Sequence, residues 1–101
     1  MSIFLVTFRI HSDATYAARY QSFQEALLKG CTGYWRDPTS FVAVQSNETI
    51  DAFCSRIYVH STFDATKDMY LVLDANVKTG RTRGNVVDQD IYKLLPFVIK
   101  L

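Results

Sequence analysis

Within the five residues Arg9-Ile10-His11-Ser12-Asp13 the chain places a permanent cation, an imidazole, a hydroxyl and a carboxylate. An imidazole beside a guanidinium suits metal-free phosphodiester cleavage, with His11 as general base and Arg9 against the charge that develops on phosphorus. Asp13 adds a carboxylate able either to join a catalytic set or to cap a helix. A plainer alternative stands beside each role. His11 is then a polar strand end, Arg9 pairs with an acid or lays its stem along a sheet, and Asp13 is only a cap.

Two further places gather cations. Lys78, Arg81 and Arg83 fall within six residues that hold no acid, and Gly80 and Gly84 let the backbone come close to a phosphate. Three phosphate contacts give a log–log salt slope of about −3 on duplex DNA. The alternative is a solvated hairpin tip that keeps a sheet edge soluble. Tyr34-Trp35-Arg36 sets the only tryptophan beside a cation, the combination on which unpaired bases stack. A strand tryptophan equally fills a core or an interface. Arg9, Arg36, Lys78, Arg81 and Arg83 are therefore the candidate nucleic-acid contacts, with RNA and DNA both open.

The composition narrows the classes. A length of 101 residues makes one domain, and 49% hydrophobic residues are enough for a core. A formal charge of +1 gives no whole-chain attraction to polyanions, so any such attraction must come from local clusters. No apolar run approaches the roughly 18 residues of a membrane span, and the N-terminal apolar run lacks a basic flank and a cleavage signal. Cys31 and Cys54 are far apart and read as buried thiols of a cytoplasmic protein. His11 and His60 have no His or Cys neighbour at ligand spacing, so no metal or cofactor is expected. Nucleotide-binding glycine loops and nucleophile elbows are absent.

These residues need positioning elements. Ser2–Ile10 reads as an interior strand, apolar on both faces. Tyr16, Tyr20, Phe23 and Leu27 form one helical stripe that starts after a Ser12 or Asp13 cap and stops at Gly30. Cys31–Arg36 and Ser40–Gln45 make a hairpin about Asp37-Pro38-Thr39. A second helix, capped by Ser46 or Asn47, carries Ile50, Phe53, Cys54 and Ile57. Residues 61–68 read as a loop, 69–76 as a strand, and 78–85 as an exposed loop. A short helix capped by Asp88 and ended by Pro96 precedes an edge strand or a subunit-pairing arm over 97–101. The expected fold is α+β: a ferredoxin-like βαββαβ sandwich, with an antiparallel sheet, two helices on one face and a C-terminal extension. Its uncovered sheet face, in a chain 14% aromatic, predicts a homodimer.

Leu5-Val6-Thr7-Phe8-Arg9, Thr39-Ser40-Phe41-Val42-Ala43-Val44 with Glu48-Thr49-Ile50-Asp51-Ala52-Phe53, and Tyr70-Leu71-Val72-Leu73 with Gly80-Arg81-Thr82-Arg83-Gly84 resemble one superfamily. It holds the smaller CRISPR adaptation protein, the GhoS-type antitoxin ribonucleases and the SinR-like proteins. The resemblance implies a homodimer that contacts nucleic acid. Nuclease members of that superfamily place a metal-holding aspartate at the strand-one exit, where this chain has Arg9. A guanidinium only donates and repels Mg²⁺. The expectation is therefore nucleic-acid contact without metal-dependent cleavage. A protein-binding regulatory dimer, a small-molecule-binding domain and a metal-dependent endoribonuclease remain as alternatives.

Overall fold

A computed structural model describes residues 1–101. The chain is α+β, with a mixed, open six-stranded sheet and three helices. The elements run β1 (Ser2–Arg9), α1 (Tyr16–Leu28), β2 (Gly33–Trp35), β3 (Phe41–Ser46), α2 (Ile50–Val59), β4 (Met69–Asp74), β5 (Gly80–Gly84), α3 (Ile91–Leu94) and β6 (Val98–Lys100). The sheet order is β2-β3-β1-β4-β5-β6. All neighbours are antiparallel except β5 and β6, which run parallel.

β1 is the pivot of the sheet. Val6 sits opposite Val42 on one side and Val72 on the other. Side chains alternate across a strand, so Phe4, Val6 and Phe8 point one way with Val42, Val44, Tyr70 and Val72. All seven are buried in one cluster with Phe23 and Leu27 of α1 and Phe53, Cys54 and Ile57 of α2. Phe23 lies at its centre, with the rings of Phe8, Phe63 and Tyr70 at 4.8, 5.8 and 5.9 Å. Ile3, Leu5, Thr7 and Arg9 point to the opposite face. The helix cap differs from expectation. Thr49, not Ser46 or Asn47, starts α2, its Oγ1 accepting from the Ala52 N–H at 3.1 Å.

Within the expected exposed loop at 78–85, Gly80–Gly84 is instead a strand. It extends the antiparallel run β2-β3-β1-β4 and, with the edge strand β6 parallel to it, makes a mixed sheet of six. Gly80–Gly84 has no apolar side chain, yet it pairs along all of Met69–Leu73. Its neighbours supply what it lacks. Arg81 and Arg83 lie toward α2, while Thr82 points to the other face and shares a 2.7 Å hydrogen bond with the Tyr92 hydroxyl. The chain after β5 thus folds back across the second sheet face and returns as β6. That crossover makes β6 parallel to β5. Gly80 permits the close approach, because a Cβ there would sit 2.8 Å from Leu73 and 2.9 Å from Val98 side-chain carbons.

Candidate nucleic-acid interface

The strand-one exit is shaped by a buried ion pair that the periodicity conceals. On α1 the inward stripe is Arg19, Phe23, Ala26 and Leu27, whereas Tyr16 is exposed. The Arg19 Nη1 donates to both Asp68 carboxylate oxygens, at 2.6 and 2.7 Å. Its Nη2 donates to the His11 carbonyl and to Asp13, and its Nε to the Thr15 hydroxyl. Every guanidinium donor is therefore used. Asp68, fully buried, also accepts from the His11 and Asp64 backbone N–H groups. The cluster ties the end of β1, the start of α1 and the 64–68 turn into one unit.

Asp13 belongs to that unit. Its carboxylate accepts from Lys67 at 2.7 Å, Arg19 at 2.8 Å and both Thr15 donors. Lys67 and then Arg19 hold its carboxyl far below the usual carboxylate range. Its oxygens are committed to two cations, and no group of three or more His, Cys, Asp or Glu side chains is placed to hold a metal ion. His11 enters the cluster through its backbone while its side chain is exposed.

The five candidate cations do not form one patch. Arg9 is exposed at the end of β1, and its Nη2 donates to the Asn85 carbonyl at 2.6 Å. It makes no ion pair. Arg36 is exposed, with its guanidinium 5.8 Å from the Tyr34 ring centre. Lys78 follows β4, whose other end carries Met69, the partner of Arg9. The five steps from Met69 to Asp74 put it about 17 Å or more from Arg9. Arg81 pairs with Asp51 at 2.6 Å. Arg83 donates to the Tyr70 hydroxyl at 2.8 Å and lies 4.2 Å over the Tyr58 ring. Gly84 serves a close contact with the Asp68 backbone, as Gly80 does with Leu73 and Val98.

Arg9 is one of the residues lining a groove of about 730 Å³ between the end of β1, α1 and the 39–40 turn, while its Nη2 is held by Asn85. Tyr16 and Tyr20 line one wall with ring centres 5.8 Å apart, and Gln21, Thr39 and Ser40 add polar groups. The Tyr20 hydroxyl donates to the Thr39 carbonyl at 2.6 Å, which fixes the turn to the helix. The exposed Tyr16, the partly buried Tyr20, Arg9 and amide and hydroxyl groups line it together. Such a surface can stack a base and hold its phosphate. The sequence points to Arg9 but hides the groove, because the helical stripe through Tyr16 and Tyr20 reads as inward-facing; Tyr20 does pack against the core, but Tyr16 is exposed. Trp35 lies away from it, edge-on to Phe41 at 6.2 Å on the other sheet face.

Behind α2 the Tyr70 hydroxyl donates to the Cys54 carbonyl at 3.2 Å. Burial pushes the Cys54 thiol from 9.0 up to about 12 and raises the Tyr70 phenol as well. The unfolded thiol loses its proton first, so this contribution is complete below pH 9 and is lost as pH rises toward 12. The expected slope reaches about 1.4 kcal/mol per pH unit. Urea titrations across that range check it, with Cys54→Ala giving the shallower alkaline fall.

No protein-family model, curated protein or solved structure matches the chain. No helix is long and apolar enough to cross a membrane.

Proposed function

We propose that the chain is a ferredoxin-like protein that contacts single-stranded nucleic acid through the Arg9 groove, pairs with a second copy and cleaves nothing by way of a bound metal. The carrying observation is that Arg9, exposed and outside every ion pair of the molecule, lines one groove with Tyr16 and Tyr20. The fold reading is supported by the run β2-β3-β1-β4 within the sheet, by α1 leading from β1 to β2 and by α2 leading from β3 to β4. Both helices pack on one face. These features agree with the resemblance to the CRISPR-adaptation, antitoxin and SinR-like proteins. The metal-dependent endoribonuclease alternative gains nothing from Asp13, whose oxygens serve Lys67 and Arg19.

The pairing surface is the half of the second sheet face that the C-terminal segment leaves uncovered. Ile3, Phe41 and Ala43 are only partly buried there, and Trp35 is 52% exposed beside them. Contiguous apolar surface of this kind is usually covered by a partner. Light scattering should give the mass of two chains, and that of one chain with Ala43→Glu.

Fluorescence anisotropy with labelled uridine and thymidine oligomers tests the groove. Arg9→Ala should weaken binding about tenfold and remove about 0.7 unit of salt slope, the single-strand value for one phosphate contact. Tyr16→Ala should cost about 1–3 kcal/mol if a base stacks there. Arg81→Ala, already paired with Asp51, should change little. Absence of binding at low salt, or an Arg9→Ala protein that binds as tightly as the parent, sinks the reading. The uncovered sheet face then favours the protein-binding alternative.

A further inference from the structure

The C-terminal segment does not close fully onto the sheet. Between them lies a second cavity of about 190 Å³, on the opposite side of Arg9 from the groove. Met69 and Leu71 of the sheet and Val86 and Ile91 of the returning chain form its apolar lining. Two charged side chains of opposite sign, Arg9 and Asp88, also line it. They belong to none of the six ion pairs of the molecule. Arg9 spends Nη2 on the Asn85 carbonyl and keeps Nε and Nη1. Asp88 accepts the Asp90 N–H on Oδ1 and keeps Oδ2.

We propose that this cavity binds a free aliphatic α-amino acid of about the size of leucine. Arg9 takes the carboxylate, Asp88 takes the ammonium, and the side chain lies between Leu71 and Ile91. Each charge excludes a simpler ligand. A plain carboxylate meets repulsion from Asp88, and a plain amine meets repulsion from Arg9. Size favours a small ligand, because about 190 Å³ lies below the usual ligand pocket of about 300–1,000 Å³. Amino-acid binding here is independent of polynucleotide contact.

The test uses the full chain without nucleic acid, by calorimetric titration and thermal unfolding. Four probes are compared: leucine, 4-methylpentanoate without the ammonium, isopentylamine without the carboxylate, and glycine without the side chain. Leucine should bind saturably at millimolar concentration and raise the unfolding temperature. Each of the other three should bind at least about tenfold more weakly. Asp88→Asn, at an exposed position, should weaken leucine about tenfold and strengthen 4-methylpentanoate. The proposal is overturned if leucine gives no saturable response, if glycine matches it, or if Asp88→Asn leaves the preference between leucine and 4-methylpentanoate unchanged.

Discussion

Arg19→Met should lower the unfolding free energy by about 3–5 kcal/mol, the range measured when one member of a buried ion pair is removed. Methionine keeps much of the volume and the helix propensity of arginine, so the loss reports the charge and its hydrogen bonds. Asp68, fully buried, would be left ionised with only two backbone donors. Asp13 would keep Lys67, and the His11 carbonyl would lose its Arg19 donor. One control separates this mechanism from loss of packing. Adding Asp68→Asn to Arg19→Met should recover about 1–2 kcal/mol, because the stranded charge is gone. Urea denaturation with an unchanged m-value measures both quantities. A loss below about 1 kcal/mol, typical of exposed pairs, would mean that the cluster does not hold the strand exit.

That cluster marks the boundary of what the sequence reveals. Helical spacing in Phe53, Cys54 and Ile57 specifies burial directly, so α2 is readable one residue at a time, whereas the unbroken apolar run Ile3-Phe4-Leu5-Val6 marks β1 as an interior strand without saying which side chains face the helices. Arg19 is different. Its position, three after Tyr16 and four before Phe23, lies on the inward face of α1, but a cation there is tolerated only through Asp68, which is 49 residues away. Nothing local announces that partner. The available signal was the intrusion of a charge into an apolar stripe, which requires an acid somewhere. The strand at Gly80–Gly84 escaped for the same reason. Its pairing is decided by α2 below it and the returning chain above it, neither of which is expressed in its own residues. Among the site residues, Arg9 was legible as a cation where an acid was expected. The division of Arg81 and Arg83 from Arg9 was not, because it depends on which sheet face each side chain takes.

Gly84→Ala should cost about 3 kcal/mol or more, well beyond an ordinary glycine substitution. The residue has a φ of 98°, so any side chain meets the left-handed penalty of about 1–2 kcal/mol. Space adds the larger share. A Cβ at this position would lie 2.0 Å from the Asp68 carbonyl oxygen and 3.0 Å from the Met69 Cα. Both are backbone atoms, so the β4–β5 end must open and the 2.8 Å bond from the Asn85 N–H to the Asp68 carbonyl must stretch or break. Gly30→Ala is the matched control. Its φ of 80° is similarly left-handed, but a Cβ there meets nothing within 4 Å, and only the conformational penalty is expected. The two variants should differ in binding as well. Arg9 leans on the Asn85 carbonyl, one residue from Gly84, so displacement of that corner moves its guanidinium. Gly84→Ala should therefore weaken oligonucleotide binding even where the protein is still folded, while Gly30→Ala should leave it unchanged. Equal stability losses in the two variants would show that the close approach to Asp68 is relieved without cost. Equal binding would show that Arg9 holds its place without the Asn85 corner.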